Sequence, residues 1–142
     1  MTVSSKTFHV RTKGRGLYDV TIEVQRAVAE SGVDAGICSV FLAHTSASLV
    51  TQENADPSVL RDLERWIERI APEGEGYEHD AEGPDDMPSH IRASITKTSE
   101  TVPIQGGRLA LGTWQAIYVW EHRRSAHERR VIVTILGETR EA

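Results

Sequence analysis

The chain has 142 residues, a formal net charge of -5, 39% hydrophobic residues and 26% charged residues. This length and composition predict a single globular domain with one core. The negative balance argues against a broad basic face for nucleic acid, and no apolar run approaches the ~20 residues that a membrane-spanning helix needs. No signal peptide is recognisable near the N-terminus, so the expected location is the cytoplasm.

The first half of the chain predicts strands around one helix. Thr21 is the expected N-cap of this helix, which ends before Gly32, a residue type common after helix ends. Residues 36–43 are rich in Ile, Val and Phe and predict a buried strand that contains Cys38 and delivers His44 at its end. The other predicted strands of this half cover residues 5–11, 17–20 and 48–52.

Two helices led by proline and three further strands are predicted in the second half. Asp56 is the expected N-cap of the first helix, in which Pro57 occupies the first turn. A second helix is predicted from Pro88. The strands are predicted over residues 100–104, 108–118 with a break at Gly112, and 131–136. The whole pattern predicts a single α+β domain over residues 1–142, with a mixed, sandwich-like β-sheet and two or three helices.

Three histidines stand at positions that suit a metal site. His44 follows the buried strand, His79 lies in an acidic loop, and His90 lies near the start of a predicted helix. Imidazole is a common ligand of zinc, and a site of three histidines leaves one coordination position for water or substrate. Their spacing matches no compact metal motif, so the alternative of three unrelated polar side chains stays open.

Hydroxyl and guanidinium groups predict contacts with phosphate. Ser46 lies in a hydroxyl-rich corner after His44, although such a sequence is also typical of an ordinary turn. Arg129 and Arg130 adjoin the last predicted strand, and guanidinium forks form paired hydrogen bonds with phosphate oxygens. Arg123 and Arg124 flank the same short loop, and the alternative for all four arginines is an exposed hairpin that pairs with the acidic loop of the same chain or of a neighbouring subunit.

A polar tetrad, Gly112-Thr113-Trp114-Gln115, interrupts an apolar run. Polar groups displayed at a strand junction often form binding sites in sheet proteins, so Trp114 and Gln115 are candidate substrate-binding residues. Glu53 and Glu121 are candidate general bases, or partners that orient a histidine. Surface or capping duty is the alternative for either glutamate.

Five ordered blocks of the sequence carry a family resemblance. They are His44-Thr45-Ser46-Ala47-Ser48-Leu49, Glu53-Asn54-Ala55-Asp56-Pro57, Tyr77-Glu78-His79-Asp80, Met87-Pro88-Ser89-His90-Ile91 and Leu109-Ala110-Leu111-Gly112-Thr113-Trp114-Gln115-Ala116-Ile117. With these blocks the chain resembles the YjbQ-like family, often labelled secondary thiamine-phosphate synthase enzymes, over residues 5–138.

The resemblance implies a homotrimer with a pocket at the subunit interface, in which His44, His79 and His90 converge on a divalent metal ion. The ligand type favours a zinc-like ion. The implied activity joins a pyrimidine pyrophosphate to a thiazole phosphate, giving thiamine phosphate and pyrophosphate. On this hypothesis the substrate is bound by Ser46, Trp114, Gln115, Arg129 and Arg130.

Two other hypotheses use the same residues. One is a metal-dependent hydrolase of a small phosphorylated substrate, in which Glu53 or Glu121 accepts a proton from water. The other is a non-catalytic trimeric module that binds a metal or phosphate. The expected partners are therefore a small phosphorylated molecule and further copies of the chain, with no nucleic acid and no membrane.

Overall fold

Antiparallel strands make up most of the fold. The computed structural model describes residues 1–74 and 76–140, and this part of the chain holds eight strands and three helices. The strands are β1 (Thr2–Thr12), β2 (Gly16–Asp19), β3 (Val33–Leu42), β4 (Ala47–Glu53), β5 (Ser99–Gln105), β6 (Arg108–Leu109), β7 (Gln115–Glu121) and β8 (His127–Thr139). The helices are α1 (Thr21–Ser31), α2 (Pro57–Ile70) and α3 (Asp86–Ile95). None of these helices is long and apolar enough to cross a bilayer.

The strands form two sheets. A five-stranded sheet has the order β1-β8-β3-β5-β6, and a three-stranded sheet has the order β2-β7-β4. The predicted α+β class with one domain is confirmed, but every strand pairing among the described residues is antiparallel, so the two sheets are not mixed. β5 and β6, which pair directly, are joined by residues 106–107 alone, a connection too short for the crossover that a parallel pair needs.

The core lies between the two sheets and α1. β5 alternates exposed and buried residues along its whole length, as expected for a strand with one face on a core. β3 buries Cys38, Val40 and Leu42 completely, and Val24 and Val28 of α1 join the same cluster. The expected burial of Cys38 is confirmed, and burial raises the pKa of its thiol to about 11.

The helix starts follow the predicted chemistry in one case and depart from it in another. The Asp56 side chain caps α2 by accepting a hydrogen bond from the Ser58 amide at 2.9 Å. At α1 the prediction is wrong, because Val20 holds the cap position and Thr21 is the first helical residue. The Thr21 hydroxyl instead accepts a hydrogen bond from the Ile117 amide at 2.9 Å, which ties α1 to β7.

The predicted strand over residues 108–118 is two strands in different sheets. β6 pairs with β5 in the larger sheet, whereas β7 pairs with β2 and β4 in the smaller one. Trp114 lies in the crossing between them and is 62% exposed. The predicted break at Gly112 therefore marks a change of sheet.

One end of the smaller sheet gathers α3 and two chain connections. The Ser89 hydroxyl of α3 donates a hydrogen bond to the His122 carbonyl at 2.8 Å. The Ala43 amide donates to the Arg130 carbonyl at 3.2 Å. These contacts bring together residues 43–46, 79–90 and 121–130.

Candidate metal centre

Four side chains form a cluster of metal-ligand type. Asp86 and His90 lie four residues apart on α3, so the helix places both on one face, while His79 and Glu82 come from the preceding loop. The His79 Nε2 atom lies 2.6 Å from Asp86 Oδ2, and the His90 Nε2 atom lies 3.1 Å from the same oxygen. One ligand atom from each of the four residues lies within 4.8 Å of the others. The four side chains are called the metal cluster below.

Neighbouring groups orient the metal cluster. His90 Nδ1 lies 2.9 Å from the Thr45 carbonyl oxygen, which only accepts hydrogen bonds. In the neutral ring the proton therefore sits on Nδ1, which leaves the Nε2 lone pair facing Asp86. The Arg123 guanidinium donates to Asp86 Oδ1 at 2.8 Å, so the other carboxylate oxygen is directed to the histidines.

The surroundings of Asp86 favour its ionised form. Burial opposes ionisation of Asp86, but hydrogen bonding to His79 and the nearby charge of Arg123 outweigh it and hold the pKa below its ordinary value. The hydrogen bond to Asp86 raises the pKa of His79. Two imidazoles with two carboxylates match the mixed nitrogen and oxygen donor sets of zinc and related divalent ions.

His44 lies apart from the metal cluster within one chain. Its Nε2 atom accepts a hydrogen bond from the Arg130 amide at 2.6 Å, and its Nδ1 atom lies 3.5 Å from Arg129 Nη1. Burial lowers the pKa of His44, and the Arg129 charge acts in the same direction. One chain thus brings together His79 and His90 of the three predicted ligands, and the convergence of His44 with them stays a prediction.

Arg129 and Glu121 form a buried ion pair. Arg129, 3% exposed, donates through Nε and Nη2 to the two Glu121 oxygens at 2.7 and 2.5 Å, and to Ser46 Oγ at 3.0 Å. Burial acts to raise the pKa of Glu121, but hydrogen bonds from Arg129 and Thr12 leave it below the ordinary value. Within one chain these groups hold one another, and their predicted roles toward substrate stay predictions. The Arg130 side chain is exposed at the same end.

The remaining predicted residues lie at the other end of the smaller sheet. Glu53 pairs with Gln115 across β4 and β7, whereas Ala47 pairs with Glu121 at the end that carries the ion pair. Six residues of extended strand separate these two ends by ~20 Å. Glu53, Trp114 and Gln115 therefore do not share a site with the metal cluster of the same chain.

Glu82 and Asp86 of the metal cluster, and the orienting role of Arg123, were not predicted from the sequence. Glu82 and Asp86 belong to a stretch with seven acidic residues, over residues 71–91. The available signal was helix phase, because Asp86 precedes His90 by one helical turn. Arg123 follows the alternative given for the arginines, because it pairs with Asp85 and Asp86 at the end of the acidic loop.

The fold and the metal cluster define an α+β protein with a candidate divalent metal site. Residues 6–138 match the family described as UPF0047 protein YjbQ-like, and the chain belongs to this family. Its relatives match it over nearly their whole length. UPF0047 protein sll1880 of Synechocystis is 52% identical and covers 91% of this chain and 88% of the relative. UPF0047 protein YjbQ of Escherichia coli O157:H7 is 46% identical and covers 94% and 97%.

Solved structures show the same fold. A protein of the YjbQ/UPF0047 family from Clostridium acetobutylicum superimposes with a TM-score of 0.86 at 37% identity, covering 92% of this chain and 99% of the other. A YbjQ-like protein of unknown function from Sulfolobus solfataricus superimposes with a TM-score of 0.85 at 26% identity, covering 96% and 100%. The family resemblance predicted from the five blocks is confirmed.

Proposed function

We propose that this protein is a metal-dependent enzyme that acts on a small phosphorylated substrate. The metal cluster, His79, Glu82, Asp86 and His90, holds the ion. The observation that carries this proposal is the approach of four ligand atoms to within 4.8 Å of one another, two of them oriented by Thr45 and Arg123. Ligands held by outer partners in this way are a common property of metal sites in proteins.

The donor set fits a zinc-like ion better than magnesium. Magnesium prefers oxygen ligands in an octahedral arrangement, whereas two imidazole nitrogens suit zinc, nickel or iron. When bound, such an ion supplies positive charge that stabilises phosphate oxygens or a leaving pyrophosphate. The chain's own contribution is to fix the His90 tautomer through Thr45 and the Asp86 carboxylate through Arg123.

The more specific activity is the joining of a pyrimidine pyrophosphate to a thiazole phosphate. The family resemblance supports this choice, and the exposed side chain of Arg130, whose amide donates to His44, offers a contact for a phosphate group. Hydrolysis of a small phosphorylated substrate is the second candidate, because the same ion polarises water as readily as a phosphate ester. A non-catalytic metal-binding module is the third.

A homotrimer belongs to the same proposal, and an apolar face of the larger sheet supports it. Val3 pairs with Leu136, Leu136 with Ile37, and Ile37 with Pro103, so one row crosses four strands. All four side chains are exposed, Ile37 by 50%. A contiguous apolar row of this kind is typical of a face that a second copy of the chain covers.

The trimer also gives the distant predicted residues a role. Glu53, Trp114 and Gln115 lie ~20 Å along the strands from the ion pair of their own chain. We propose that they complete the substrate pocket of a neighbouring protomer, in which Trp114 forms a wall. This arrangement is the subunit-interface pocket that the family resemblance implies.

Elemental analysis combined with activity assays tests the enzyme proposal. Wild type is expected to contain one divalent ion per chain, His90→Ala to lose it, and the exposed control His9→Ala to keep it. Thiamine-phosphate formation that depends on His90 supports the transferase, and phosphate release from small phosphate esters supports the hydrolase. Loss of the trimer together with the ion supports the structural module, and a metal-free wild type contradicts all three.

Light scattering tests the trimer separately. Leu136→Glu places a charge in the apolar row and is expected to give monomers, because a buried unpaired charge is costly. Ile22→Glu is the matched control, since Ile22 is an exposed apolar residue of α1 outside this row. A wild type that is monomeric, or equal behaviour of the two variants, contradicts the proposed interface.

A further inference from the structure

A polar cavity lies behind α3, away from the metal cluster. Its volume is about 310 Å³, and its lining residues are Arg15, Glu68, Pro72, Glu73, Arg92 and Arg124. Arg92 follows His90 by two positions on α3 and so points about 200° around the helix from it. The cavity and the metal cluster therefore open on different sides of the same helix.

Arg92 forms the buried part of this cavity. The residue is 2% exposed, and its Nε and Nη2 atoms both donate to the Ala71 carbonyl oxygen, at 3.2 and 2.9 Å. In residues 1–74 and 76–140, neither a carboxylate within 4 Å of its guanidinium nor a hydrogen-bond partner for Nη1 is found. Burial lowers the pKa of Arg92, and the charge of Arg15 adds to this effect. A buried cation that bonds only to a neutral carbonyl is costly unless an anion joins it.

The other charged residues of the cavity pair with one another and not with Arg92. Arg15 forms an ion pair with Glu68, and Arg124 forms one with Glu73. Each carboxylate holds one nitrogen of its arginine and so fixes the guanidinium at the cavity wall. Three guanidinium groups and two carboxylates line the cavity. The charges of Glu64, Glu68 and Glu73 act on Arg92 without contacting it, so its Nη1 atom is available to a ligand.

We propose that this cavity binds the phosphate group of a small molecule. Arginines from the β1–β2 turn, from α3 and from the β7–β8 connection approach the cavity from three directions. A tetrahedral phosphate offers oxygens to all three, whereas a planar carboxylate offers only two. The proposal is independent of the metal cluster and of the activity proposed for it.

Calorimetric titration of inorganic phosphate into protein stripped of metal with EDTA tests the proposal, at constant ionic strength. We expect saturable binding of one phosphate per chain, weakened about tenfold in Arg124→Gln and in Arg92→Lys because each loses a charge-assisted contact or its fork geometry. Arg65→Gln, which removes an exposed arginine of α2, is the matched control and is expected to bind as wild type.

Three results overturn the proposal. The first is an absence of saturable phosphate binding, and the second is wild-type phosphate affinity in Arg124→Gln. If Arg92→Lys does not fold, the result for Arg124→Gln decides by itself. The third is loss of phosphate binding in His90→Ala, which assigns the anion to the metal cluster. A parallel titration with acetate separates the two oxyanions, and acetate binding as tight as that of phosphate contradicts the choice of phosphate.

Discussion

The two ends of the smaller sheet treat their polar side chains differently. At the end where β7 reaches Glu121, the carboxylate, Arg129 and Ser46 are buried and bond to one another. At the end where β7 begins, Gln115 is exposed and Trp114 has 62% of its surface exposed. Both ends carry residues that the sequence analysis proposed for function. Within the described chain, only those at the Glu121 end bond to one another.

This difference shows which geometry a single chain determines. Buried polar groups need hydrogen-bond partners, and the chain supplies them to Glu121, Arg129 and Ser46. The positions of these groups are therefore set by folding, before any ion or substrate binds. The side chains at the Trp114 end have fewer internal contacts, which suits residues that meet a neighbouring copy.

The largest expected effect is on folding stability at the Glu121 end. Glu121→Ala leaves the Arg129 guanidinium buried without its counter-charge, which costs about 3–5 kcal/mol. Urea unfolding measures this loss. Glu53→Ala is the matched control at the other end, and because Glu53 is only half-buried we expect a loss below about 1 kcal/mol. Equal losses in the two variants contradict the difference between the ends.

Metal binding is expected to depend on Asp86. Asp86→Asn removes the charge that faces both histidines, so affinity for zinc falls at least about 100-fold. Competition with a chromophoric chelator measures this affinity. Glu53→Gln is expected to bind zinc as wild type does. Should Asp86→Asn retain full affinity, the metal cluster is not the metal site.

Stability is expected to depend on pH through His122, which is buried near the Glu121 end. Burial, with the nearby Arg92 charge, lowers its pKa to about 3. The unfolded chain protonates this ring below its ordinary pKa of about 6.5, so the stabilisation is complete above that pH and is lost as the pH falls toward 3. We expect a loss of about 2 kcal/mol between about pH 6 and pH 4.5, measured by urea unfolding. The free energy of unfolding is expected to change less with pH in His122→Gln. An unchanged dependence on pH assigns the effect to other groups.

A smaller effect is expected from the residue that orients Asp86. Arg123→Gln keeps a hydrogen-bond donor but removes the charge and the paired contacts with Asp85 and Asp86. Zinc affinity is expected to fall about tenfold, less than in Asp86→Asn, because the ligands themselves remain. The same chelator competition measures it. An effect as large as that of Asp86→Asn contradicts an orienting role.

Local signals predicted the elements better than their pairing. Asp56 and Pro57 mark the start of α2 by capping chemistry that acts within a few residues. The division of residues 108–118 between two sheets depends on partners in β2, β4 and β5, which no local pattern reveals. The prediction of a mixed sheet was wrong for the same reason, because strand direction is decided by pairing between distant segments.

The types of candidate ligand could be predicted from the sequence, but not which residues the fold brings together. His79 and His90 are recognisable as candidate ligands, and the helical spacing of Asp86 and His90 carried a signal that the many neighbouring acids concealed. His44 receives its hydrogen bond from Arg130, 86 residues further along the chain. That contact follows from how β3 pairs with β8, which the sequence pattern does not specify.

The smallest expected effect on folding lies at the Trp114 end. Trp114→Ala removes an exposed side chain, so the free energy of unfolding changes by less than about 0.5 kcal/mol and zinc content is unchanged. Activity is nevertheless expected to fall, because Trp114 is proposed to wall the pocket of a neighbouring protomer. Mixed trimers of Trp114→Ala and His90→Ala chains then regain activity, since some pockets receive an intact tryptophan and an intact metal cluster from different chains. Mixtures that stay inactive, while each pure variant forms trimers, place the two ends in separate functions.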